Sequence, residues 1–149
     1  MENKIRVINE KKPYSVPIEM RPLWRICLIV VCVLCVSQDK KYLNLKKVNI
    51  LVWILIRKKM WSEYEDYLLG RSSKVPLISV DTATYKAIEI SIAKGILNLE
   101  RDRLYVASAG DNLFKTIMEN EIMAEEISFL NSVGSKLSES KIKEMTGRN

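Results

Sequence analysis

The hydrophobic pattern opens with charged residues and prolines and then closes into an apolar block. Residues 1–17, with Pro13 and Pro17 among short apolar residues such as Ile5 and Val7, read as an extended arm. From about Ile18 a helix is expected, with Pro22 tolerated in its first turn because the amide it lacks would have no partner there. It should run to Val36 through RICLIVVCVLCV, where eleven apolar residues follow Arg25 without interruption.

Leu45, Val48, Leu51, Val52 and Leu55 recur at helical spacing and predict a second helix over 44–59. Ile50, Trp53, Ile54 and Ile56 make it apolar almost all round, as expected of a central helix. WSEYEDYLLG predicts a short third helix, with Ser62 as cap, acidic residues in its first turn and Gly70 as its stop. A loop over 70–80 precedes DTATYKAIEISIAKG, a helix capped at Asp81 or Thr82, with Tyr85, Ile88 and Ile92 as its apolar stripe and Gly95 as its end. ILNLERDRLYV then alternates as a two-stranded hairpin turning at Arg101-Asp102. Gly110-Asp111 should open a further helix, broken near Asn120, and residues 134–149 read as a tail with one weak turn or helix.

These elements predict a mainly α chain with a small β-hairpin (α+β): arm 1–17, domain 18–133, tail 134–149. Helices followed by a two-stranded wing form the winged-helix arrangement, in which the helix before the wing reads DNA when such a domain reads DNA. Here that helix, Asp81 to Lys94, contains no arginine, so bidentate reading of bases is weak.

Charge adds an asymmetry to the +6 net balance: residues 1–60 hold 13 basic residues against 4 acidic ones. Candidate phosphate-backbone contacts are Lys46, Lys47, Arg57, Lys58 and Lys59 at the ends of the second helix, and Arg101 and Arg103 on the wing tip. Candidate partner-binding apolar residues are Tyr14 and Val16 in the arm and Phe114, Ile117 and Phe129 after the wing.

Cys27, Cys32 and Cys35 lie in the apolar run, but a cluster lacks its fourth thiolate, and without histidine zinc lacks a further ligand. On a helix the three thiols also diverge, so they are expected to pack as core in a reduced, cytoplasmic protein. No metal, cofactor or catalytic residue is expected, because a nucleophile would have no histidine base and no phosphate loop stands out. The eleven-residue run falls short of the twenty or so that a membrane span needs.

The stretches YSVPIEMRPLWRICLIV and LNLKKVNILVWIL, the P-x3-V-D start at Pro76 and the block IAKGILNLERDRLYVASAGDNLF carry a resemblance spanning about Tyr14 to Val133. In them the chain resembles the small middle components of bacterial three-component ABC systems, which include the accessory C subunit of Lamassu-type anti-phage defence. Its cysteine- and valine-rich first helix departs from that pattern. The resemblance implies a non-enzymatic winged-helix subunit seated on an SMC- or Rad50-like ATPase, with bridging of the two ATPase heads as one option. It further implies a nuclease-type effector subunit, and double-stranded DNA reached through the complex. A winged-helix DNA-binding transcription regulator is the alternative reading.

Overall fold

The computed structural model describes residues 21–79 and 81–147. The described residues are mainly α-helical with one small antiparallel sheet. Helix α1 spans Pro22–Val36, strand β1 Tyr42–Asn44 and helix α2 Leu45–Ile56. A 3-10 turn, Lys58–Met60, leads into α3, Trp61–Leu68, and a second, Gly134–Lys136, lies nearer the C-terminus. After the loop come α4 (Thr82–Ala93), β2 (Leu97–Glu100), β3 (Arg103–Val106), α5 (Ser108–Glu119), α6 (Ala124–Val133) and α7 (Glu139–Thr146).

Valine and isoleucine favour strands in isolation, yet α1 is a helix because burial decides. Ile26, Leu28, Ile29, Val30, Val31, Cys32 and Val33 are all in the core, and α2, α4, α5, α6 and β3 pack around them. An all-round apolar helix thus finds its cover within the chain itself. The helix begins later than expected, at Pro22, because Arg21 is extended (ψ 139°), as a residue before proline prefers. The arm expected over 1–17 lies outside the described residues.

The hairpin gains an unexpected third strand. β1 pairs antiparallel with β3 (Tyr42↔Tyr105, Leu43↔Leu104, Asn44↔Arg103), so the order is β1-β3-β2. Leu43, Leu97 and Leu104 face the core. Tyr42 and Tyr105 meet on the other face with ring centroids 5.0 Å apart.

α4 is capped by Asp81 as expected, its carboxylate accepting from Ala83 N at 3.2 Å. Ser62 does not cap α3, which already starts at Trp61. The break near Asn120 is real: Glu121 and Met123 take left-handed backbone (φ 53° and 63°) between α5 and α6.

The segment expected as a tail instead belongs to the core. Leu137, Ile142 and Met145 are buried, Ser138 caps α7, and Met145 O accepts from Ile78 N at 3.0 Å. Buried Tyr67 on α3 donates its hydroxyl to Glu144 on α7. Burial first, and then the Glu144 carboxylate, push this phenol well above its ordinary value.

A phenol whose folded pKa is raised contributes stability in full below the unfolded value, near pH 10, and that contribution is lost as pH climbs beyond it. Stability should therefore fall above about pH 10 by up to ~1.4 kcal/mol per pH unit from this group. Tyr67→Phe should flatten that alkaline limb, and urea melts of both proteins at pH 9 and pH 11 measure it; equal slopes would mean that the phenol ionises within the fold.

Candidate functional site

α4 is fixed to α1 at its first turn. Arg25, only 7% exposed, donates from Nη1 to Asp81 Oδ2 at 2.7 Å and to Thr84 Oγ1 at 3.2 Å. Thr84 in turn donates to Asp81 Oδ2 at 2.9 Å. One carboxylate thus caps α4, receives a buried guanidinium and accepts a hydroxyl, which sets both the start and the rotation of the helix.

That rotation has a consequence for the stripe predicted at Tyr85, Ile88 and Ile92. Only Ile88 is buried, alongside the small residues Thr84, Ala87 and Ser91. Small side chains let α4 approach α1 closely, and Ser91 closes its hydroxyl back onto Ala87 O at 2.8 Å. Tyr85 and Ile92 point outward, 38% and 37% exposed. The intervening polar residues, Lys86 and Glu89, lie 3.9 Å apart and cancel in charge. Leu99 on β2, the strand that α4 leads into, is exposed as well. The exposed face of α4 thus carries a near-neutral Lys86–Glu89 pair flanked by Tyr85 and Ile92, without the guanidinium groups that read base edges.

The predicted basic contacts divide into two groups at opposite ends of α2, which is about 18 Å long. At the far end, Arg57 lies over the Trp53 ring, 3.3 Å from its centroid, and donates to Trp53 O. Lys58 reaches across to α6, 2.9 Å from Glu125 and 3.0 Å from the buried Glu126. The hydrogen bond to Glu125 above all, reinforced by Glu126, raises its pKa. Lys58, expected as a phosphate contact, thus ties α2 to α6 and is the partner of a buried carboxylate. Lys59 is exposed beside it.

At the near end, Leu45 N donates to Asp102 O at 2.7 Å and Asn44 Nδ2 to Asp102 Oδ2 at 3.0 Å. These bonds bring the wing tip against the start of α2, and so gather Arg101, Arg103 and Lys46, all exposed. The Arg103 guanidinium lies 4.7 Å from the Tyr42 centroid. Lys47 is half-buried there, and burial lowers its pKa.

Of the predicted partner-binding residues, Tyr14 and Val16 lie outside the described residues. Ile117 (1% exposed) and Phe129 (8%) are core; Phe129 stacks on Trp61 with centroids 4.5 Å apart. Both readings are corrected: α5 and α6 turn these side chains inward to cover α1 and α3. Phe114 is half-buried against the same core.

The cysteines behave as expected of core side chains. Cys32 is fully buried, Cys27 and Cys35 half-buried, and burial pushes all three thiols up, away from the reactive thiolate form. Among the described residues no group of three or more His, Cys, Asp or Glu side chains is placed to hold a metal ion, and no helix is long and apolar enough to cross a membrane.

Comparison with protein-family models, curated proteins and solved structures finds no match.

Proposed function

We propose that this chain is a non-catalytic, cytoplasmic accessory subunit that docks through the outer face of α4 onto an SMC/Rad50-like ATPase. On the resemblance read from the sequence, the complex is a Lamassu-type anti-phage defence assembly with a nuclease-type effector subunit. In it this chain helps DNA sensing or control of the effector, and bridges the ATPase heads if it docks on both. The observation that carries the docking reading is the placement of α4: its small residues and Ile88 face the core, while Tyr85 and Ile92 stay more than a third exposed beside a neutral ion pair. Aromatic and aliphatic side chains with few net charges suit the centre of a protein interface. The winged-helix part of the reading is supported by the order α1, β1, α2, α4, hairpin and by the β1-β3-β2 pairing.

The test is co-purification with the coiled-coil ATPase encoded beside it. Tyr85→Glu with Ile92→Glu should lower recovery of the complex at least about tenfold, roughly 1.4 kcal/mol, with an unchanged circular dichroism spectrum. Lys59→Glu should leave recovery intact. A chain that purifies only as a lone monomer, or binds equally well with both substitutions, refutes this docking.

The second reading, a winged-helix regulator of double-stranded DNA, is favoured by the exposed cluster of Lys46, Arg101 and Arg103. It requires strong, salt-sensitive binding of the isolated chain to one duplex sequence, since counterion release and base contacts must supply the affinity.

A further inference from the structure

The molecule also holds a cleft of about 330 Å³ between the first half of α2, the end of the 70–81 loop, Tyr85 at the start of α4, and α7. That volume is within the range of small-molecule pockets. Ile50 and Ile142, both buried, and half-buried Ile78 supply its apolar surface. Its exposed lining residues include Lys46, Lys143 and Glu139. Two ammonium groups against one carboxylate leave the cleft one positive charge in excess.

Asn49 lines the cleft too. Its Nδ2 donates to Leu45 O at 3.1 Å, which fixes the orientation of the amide, and its Oδ1 is buried without a hydrogen-bond partner. An acceptor left unpaired in this way is unfavourable. It gains a donor from any ligand N–H or O–H brought within reach by a small adjustment of the wall. The wall formed by α7 is held in place by Tyr67 to Glu144 and by Ile78 N to Met145 O.

We infer that this cleft binds a small monoanionic amphipathic molecule. Its apolar body lies against Ile50, Ile78 and Ile142, its carboxylate or phosphate lies between Lys46 and Lys143, and its hydrogen-bond donor faces Asn49. Volume, excess charge and the unpaired acceptor point to the same ligand chemistry; because Tyr85 lines the cleft as well as the proposed docking face, Lys143→Glu on α7 is the variant that separates ligand binding from docking.

Indole-3-acetate, an aromatic carboxylate with a ring N–H, is a suitable probe for methyl-labelled full-length chain in solution. Its titration should shift the Ile50, Ile78 and Ile142 methyl resonances together, saturating below about 1 mM. Lys143→Glu, an exposed change that leaves the fold intact, should weaken the affinity about tenfold, and Asn49→Leu should weaken it severalfold. Ile142→Trp should fill the cleft and abolish the shifts; because that variant can fail to fold, Lys143→Glu carries the decision. Absence of shifts at these three methyls at several millimolar probe, or an affinity unchanged in Lys143→Glu, overturns the inference.

Discussion

Replacing Arg25 by methionine is expected to lower the stability of the fold by about 3–5 kcal/mol, the range for removing one partner of a buried ion pair. Methionine keeps much of the apolar stem, so the loss isolates the guanidinium. What remains is the Asp81 carboxylate, 16% exposed, with only the Thr84 hydroxyl and the Ala83 amide as donors. Asp81→Ser in the same background removes the stranded charge and keeps an oxygen for the N-cap. The double variant should therefore recover most of the loss, a non-additivity visible in a double-mutant cycle by urea unfolding. A cost below about 1 kcal/mol for Arg25→Met alone would show that water reaches the carboxylate and that the pair does not set the position of α4.

This pair also shows where reading from sequence stops. Each half had a local meaning: Arg25 preceded an apolar run and Asp81 was a helix cap. Nothing local joins residues 56 positions apart, and the joining is what turns Tyr85 and Ile92 outward. Periodicity placed Tyr85, Ile88 and Ile92 on one stripe, which the structure divides: Ile88 enters the core and Tyr85 and Ile92 remain at its exposed flank. The small residues Thr84, Ala87 and Ser91 were the available signal, since a helix packed closely on another needs small side chains at the contact.

Elements with local punctuation were legible: Pro22 in the first turn of α1, the Asp81 cap, Gly95 with φ 73° at the end of α4, and the two-residue turn of the hairpin. β1 was not, because three residues within KKYLNLKK become a strand only through a partner about sixty residues away. α7 was underestimated for a similar reason. Its Ile142 and Met145 are sparse among charged residues, and their burial depends on α3 and the 70–81 loop. The basic runs divided along the same line, since exposed Lys59 and bridging Lys58 are adjacent in sequence and differ only in whether Glu126 is within reach.

Gly110 gives the second large effect. It lies in the first turn of α5 where the helix crosses the base of the hairpin, next to the bond from Ala107 N to Ile96 O at 2.9 Å. A Cβ there would fall on the Ile96 carbonyl oxygen and 2.7 Å from Val106 Cγ1. Alanine at a helical glycine normally gains up to about 1 kcal/mol from propensity. Here the obstacle is backbone, which cannot rotate aside, so overpacking of about 1–3 kcal/mol dominates. Gly110→Ala is expected to lose about 2 kcal/mol net and Gly110→Val about 3 or more, with α5 pushed off the hairpin. Urea unfolding measures the loss, and amide exchange at Ala107 and Ile96 locates it. Because Gly110 leaves the outer face of α4 untouched, whatever fraction of Gly110→Ala remains folded should still bind a partner docked there. A neutral or stabilising Gly110→Ala would mean that α5 stands further from the hairpin than this close approach requires.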